Sequence, residues 1–212
     1  MIYIGNVRSP RPNMDANYAI VRSARTLNSG MKLCDILSPS QDLFFEYRRL
    51  ANTPDPRDSS KTLWSPKSFE ERYLPEFLSQ MRYDPRAANI LNSLVEMDKA
   101  GKKIELSCFC GQESMCHRSI VAGLLQGAGV RVHTATGADY SRYYDMYLSA
   151  PLTPMADKYL KQEVFKAQQA AVGARNGKEY HEIIQGQSSG RVLGREFDIP
   201  DDGSGPDNIL VF

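Results

Sequence analysis

The segment from Ile104 to Thr134 constrains the fold of this chain more than any other. An apolar run, Ile104 to Phe109, leads into a polar turn that ends in Cys116-His117-Arg118. Ile120, Val121, Leu124 and Leu125 then recur at helix spacing, and Gly127 and Gly129 stop the helix. Val130 to Thr134 reads as another strand. The segment is therefore a strand–loop–helix–strand unit, and three of the four cysteines of the chain sit at its strand-to-helix turn. In open α/β sheets ligands bind outside the carboxyl ends of strands. The free N–H groups of a helix start favour anions at the same place. The turn is thus where chemistry is expected.

The remaining elements follow from local pattern. Ile2 to Val7 predicts a buried first strand, broken by the basic loop Arg8-Ser9-Pro10-Arg11-Pro12. Asn17 to Val21 predicts a second strand, followed by Arg22 and Arg25; Gly30 turns the chain. Ser40 caps a helix with Leu43, Phe44, Tyr47 and Leu50 on its apolar face. Residues 52–60 read as a polar loop. Pro66 opens a helix with a Phe69, Tyr73, Phe77, Leu78 and Met81 stripe, and Pro75 should kink it. Asp84-Pro85 starts a third helix, with Ile90, Leu91, Leu94, Val95 and Met97 on its buried side. Tyr140 to Tyr147 predicts a short helix packed through its rings, and 155–172 an exposed amphipathic helix. The acidic end, with Glu196, Asp198, Asp201, Asp202 and Asp207, reads as a loosely ordered tail. The order of elements predicts an α/β fold: a single small Rossmann-like open sheet, mostly parallel, over residues 1–150. A helical C-terminal extension and tail occupy 151–212.

Composition narrows the function classes. A net charge of +1 gives no global electrostatic case for nucleic-acid binding. The charge is uneven, however: Arg8, Arg11, Arg22, Arg25 and Lys32 face only Asp15 near the start. No apolar stretch is long enough to span a bilayer, and Met-Ile-Tyr-Ile-Gly is not a signal peptide. A cytoplasmic, reducing setting is expected, in which clustered cysteines are metal-binding or catalytic rather than disulfide-bonded.

Cys108, the polar loop through Met115 and Cys116-His117-Arg118 resemble the bacterial domain-of-unknown-function family 488. Its members share a strand ending in Cys and a Cys-His-Arg that opens a helix. Tyr18-Ala19-Ile20-Val21-Arg22, Leu37-Ser38-Pro39-Ser40 and Phe69 to Leu78 also resemble its layout. The likeness spans about residues 1–135 and implies a small α/β fold with its site at the Cys-His-Arg turn. The chain departs from the family at Cys110, where many members carry an acidic residue, and in its C-terminal extension.

Three readings of the turn follow. In the first, it cradles a phosphate-bearing ligand, a nucleotide or a nucleic-acid end. Arg118 is then the anion clamp, Arg22 and Arg25 stand on the rim, and Cys108 and Gly111 line the loop. Hydrolytic or group-transfer chemistry would use Cys116, expected to have a lowered pKa at a helix start, with His117 and Glu113 as the other catalytic candidates. This reading requires no cofactor. The spacing is not that of a phosphatase loop, which needs Cys, five residues, then Arg. In the second reading Cys108, Cys110 and Cys116, with His117 a weaker fourth, bind zinc or an iron–sulfur cluster. In the third the domain is a non-catalytic interaction module, engaging a protein partner or a second copy through 155–172. His133 and His181 are expected to be bland, and the tyrosines at 140–147 to be core.

Overall fold

The structure is a computed structural model that describes residues 1–180 apart from 24 and 26, with side chains through residue 170. The acidic tail and His181 lie outside the described residues. The elements in chain order are β1 (Ile2–Asn6), β2 (Ala16–Ala19), β3 (Met31–Leu33), α1 (Gln41–Asn52), β4 (Pro54–Asp55) and β5 (Asp58–Thr62). There follow α2 (Pro66–Ser68), α3 (Leu74–Tyr83), α4 (Pro85–Lys99), β6 (Ile104–Cys108), α5 (His117–Gly127), β7 (Val132–His133), α6 (Arg142–Ser149) and α7 (Pro154–Tyr180). The expected α/β architecture is present. Five strands form a parallel sheet in the order β3-β2-β6-β1-β7, and β4 and β5 form a separate hairpin.

This order places β6 in the middle of the sheet, between β1 and β2. It differs from the dinucleotide-fold order, in which the first strand sits beside the second. The connection leaving β1 runs towards β2 and β3, whereas the one leaving β6 runs to β7 at the opposite edge. The chain therefore parts in two directions at the neighbouring carboxyl ends of β1 and β6, the position where such sheets open a crevice. In register, Asn6 stands beside Cys108. All five residues of β6 are buried, as expected of a strand covered on both faces.

Helix boundaries follow the capping chemistry. The Ser40 hydroxyl accepts from Leu43 N at the start of α1, and the Asp84 carboxylate accepts from Arg86 N at the start of α4. The stretch from Pro66 to Tyr83 is not one kinked helix. A π-helical turn, Phe69–Tyr73, separates α2 from α3, and Leu74 N bonds back to Phe69 O across it. Pro75 thus falls in the first turn of α3, where its missing N–H leaves no bond broken. Residues 52–60, expected as loop, hold most of the β4–β5 hairpin, and β3 follows Gly30 at the sheet edge.

The aromatic residues near α6 are core. Tyr140, Tyr143 and Tyr147 are buried, and Tyr140 stacks on Tyr143. Helices α5 and α6 pack so closely that a Cβ on Gly123 would lie 2.2 Å from Tyr140 O. The start of α7 docks rather than projecting free. Tyr159 donates to the Asp84 carboxylate at 2.9 Å, and Arg86 pairs with Glu163 at 2.7 Å. Beyond that turn Val164 and Phe165 are exposed. Among the described residues, no helix is long and apolar enough to cross a membrane.

Candidate functional site

The site forms because β6 ends at the cleft floor and α5 begins beside it. Cys108 closes the strand, Cys110 follows one residue beyond Phe109, and the loop returns Cys116 as the N-cap of α5. The three Sγ atoms lie within 4.8 Å of one another, with Cys108 and Cys110 at 3.5 Å. Cys108 and Cys116 are buried and Cys110 is half-buried. Asn6, from the adjoining strand, donates to Cys110 O at 3.3 Å and fixes the turn to β1.

The thiols share their charge unequally. Cys108 is held well below the usual thiol value by hydrogen bonds from the Cys110 and Cys116 thiols, assisted by the Arg118 charge. Cys110 is pushed up because it donates to Cys108. Cys116 is pushed well above the usual value, first by burial and then by the same neighbours. The expectation that Cys116 carries the lowered pKa is therefore corrected. Full burial outweighs the helix start.

His117 follows on α5. Its Nε2 lies 2.7 Å from Ile20 O, and a carbonyl only accepts, so Nε2 carries the proton. That leaves Nδ1 as an acceptor 3.8 Å from Cys116 Sγ. Burial lowers the pKa of the ring and keeps it neutral. His117 also abuts Phe77, at the inner end of a file of rings running Tyr47, Trp64, Tyr73, Phe77.

The triad and His117 open onto a cleft of about 650 Å³. Its ring wall is Phe44, Tyr47, Trp64, Tyr73 and Phe109, and its cations are Arg8, Arg22 and Arg48. Arg22 is aimed by a bond to Pro39 O at 2.9 Å and lies over the Phe44 ring. These residues come from five separate parts of the chain. Of them, the sequence reading placed Arg22 at the site and Phe109 at the end of the strand that leads into it; Arg8 was seen as loop, Phe44, Tyr47 and Tyr73 as apolar helix stripes, and Trp64 and Arg48 were not singled out. The single tryptophan of the chain, on the short link between β5 and α2, was the one available signal.

Other predicted site residues are elsewhere. Arg118 is 4 % exposed and donates from Nη1 to Gly5 O at 2.7 Å, away from the cleft lining. Read from the sequence as the anion clamp, it ties α5 to β1 in the structure. Glu113 is buried, and its carboxylate accepts from Ala135 N, Thr136 Oγ1 and Tyr140 Oη. With its oxygens so occupied, it latches the loop rather than standing ready as a base. Arg25 is exposed and does not line the cleft, and Gly111 faces open space. His133 stacks on Tyr3 at the sheet edge.

A family model described as the active DUF488-N3 subclade matches residues 4–129. The chain belongs to this family. No curated protein and no solved structure matches it. The DUF488-N3 match runs from within β1 to the end of α5, so it contains the triad, His117, the cleft arginines and Trp64. The residues that receive Glu113, at 135, 136 and 140, lie beyond the DUF488-N3 match. The site is thus built inside the family region and braced from outside it.

Proposed function

We propose that this DUF488-N3 protein is an enzyme-like domain whose cleft binds a ligand carrying both an aromatic ring and a phosphate, a nucleotide or the end of a nucleic acid. The observation that carries the reading is the meeting, in one cleft, of three arginines, a wall of five rings and a floor of three thiols. Guanidinium groups recognise phosphate in fork geometry, and flat rings stack on bases at about 1–3 kcal/mol each. The chemistry is hydrolysis or group transfer, centred on the triad and on the neutral His117 beside it. A triad used in reduced form requires a reducing compartment, which supports a cytoplasmic setting.

Trp64 is the only tryptophan and lines the cleft, so its fluorescence reads occupancy directly. AMP and a 5′-phosphorylated oligonucleotide should quench it saturably, and adenosine at least about tenfold more weakly. Replacing Arg22 or Arg48 by Ala should weaken AMP by about tenfold, the worth of a lost charged hydrogen bond. Absence of saturable quenching by every phosphate-bearing compound overturns the reading.

A further inference from the structure

We infer that Cys108, Cys110 and Cys116 together hold a single soft divalent ion, zinc or a zinc-like metal, whose fourth position faces the cleft. This deepens the reading of the cleft as the functional site.

The first ground is geometry. Tetrahedral zinc with Zn–S bonds of about 2.3 Å sets its thiolates about 3.8 Å apart. The three Sγ atoms here converge within 4.8 Å, with one pair at 3.5 Å. One ion fits that spacing. An iron–sulfur cluster places several metal atoms between its cysteines and needs them farther apart.

The second ground is preorganisation. Cys108 is fixed by the central strand, Cys116 by the first turn of α5, and Cys110 by the Asn6 bond to its carbonyl. The Glu113 latch holds the loop that joins Cys110 to Cys116. The sulphurs therefore pay little ordering entropy on binding. Around them lie Tyr73, Phe109 and Met115, a largely apolar shell that disfavours a hard, hydrated cation and suits a soft one.

The third ground is the missing fourth ligand. Among the described residues, no fourth Cys, His, Asp or Glu joins the converging group. His117 Nδ1, 3.8 Å from Cys116 Sγ, stands outside the converging group, and Nε2 is committed to Ile20 O. Structural zinc sites are closed by four protein ligands, whereas catalytic ones keep three and leave one position for water or substrate. The open side here is the arginine-lined cleft. A phosphate oxygen entering it would meet the ion at the floor and Arg8, Arg22 and Arg48 on the walls.

The test uses the full chain, stripped with a chelator under reductant and titrated with cobalt(II). Binding should saturate at one ion per chain, with intense thiolate-to-cobalt charge-transfer absorption and the strong visible bands of a tetrahedral site, and zinc should displace it. Cys108→Ser and Cys116→Ser should weaken binding by at least about a hundredfold. Cys34→Ser, elsewhere in the core, should leave it intact. Cys110→Ser serves as the variant least exposed to misfolding, since that side chain is half-buried, and a melting curve for each variant separates lost ligation from lost fold. Adding AMP should shift the visible bands without removing the charge-transfer absorption. Absence of charge-transfer absorption in the wild-type chain, or equal loss with Cys34→Ser, overturns the inference. The two readings fail separately. Trp64 quenching by AMP in a chain that takes up no cobalt would sink the ion and keep the cleft; cobalt uptake without quenching by any phosphate compound would do the reverse.

Discussion

The β6–α5 turn has two sides built from different chemistry. Towards the cleft stand Cys110, Cys116 and His117, with sulphur and ring surfaces and few hydrogen bonds. Away from it, Glu113 and Arg118 are charged, buried and bonded to backbone on neighbouring elements. From residue type alone the charged pair looks like the machinery. Burial reverses that assignment, because a charge taken out of water must be satisfied, and its partners then hold it in place. In this turn the buried ions hold the backbone and the soft atoms face the cleft.

Arg118→Ala is the most severe way to break the comparison. It removes a buried, charged hydrogen bond to Gly5 O and should lower unfolding stability by about 2–3 kcal/mol. Chemical denaturation followed by circular dichroism gives the stability, and Trp64 quenching by AMP gives the binding. Affinity in the folded protein should change by less than about twofold. Lost affinity at undiminished stability would return Arg118 to the role of anion clamp.

How far this division was legible in the sequence depends on the range of the signal. β1, β6 and α5 were legible because a buried strand and a one-faced helix write their burial into adjacent residues. The cysteine turn was legible for the same reason, being a single stretch of chain. β3 has three residues and the hairpin 54–62 is polar, so neither carries a burial pattern. The π turn before Pro75 left the apolar spacing of 66–83 looking like one helix. The cleft itself was not legible. Phe44, Tyr47 and Tyr73 satisfy helix periodicity whether they meet solvent, core or ligand, and only tertiary structure brings them to Trp64 and Arg8.

A second comparison sets the triad against Cys34. This thiol is buried outside the converging cysteine group, and burial, with Asp35 nearby, pushes it up to about 12. Its folded pKa is above the unfolded value near 8.5, so its contribution to stability is complete below about pH 8.5 and is lost as pH rises towards 12. Near pH 10 the loss should reach about 2 kcal/mol. The difference in stability between wild type and Cys34→Ala, followed from about pH 8 to 10, isolates this group from the tyrosines and the triad. A difference independent of pH would show that the Cys34 thiol ionises as freely in the fold as in the unfolded chain.

Glu113→Gln sharpens the latch. The amide keeps the size of the side chain and one acceptor but gives up the charge that three donors share. A loss of about 1 kcal/mol is expected. Iodoacetamide should label Cys110 faster as the loop loosens, while Cys34 stays slow. Unchanged stability, with loss of turnover once a substrate is in hand, would make Glu113 catalytic after all.

The smallest effect is expected at Gly111, in the middle of the turn. A glycine beside a phosphate cradle is kept where a side chain would block the ligand or where the backbone is left-handed. Neither holds here. A Cβ at Gly111 meets nothing within 4 Å, and its φ is not among the positive ones. Gly111→Ala should therefore leave AMP affinity unaltered and raise stability by about 0.4–1 kcal/mol, because alanine has fewer unfolded conformations to lose. Weaker quenching of Trp64 at undiminished stability would mean that the ligand reaches over the turn to its exposed side. The boundary drawn between the cleft and the braced side of this loop would then have to move past Gly111.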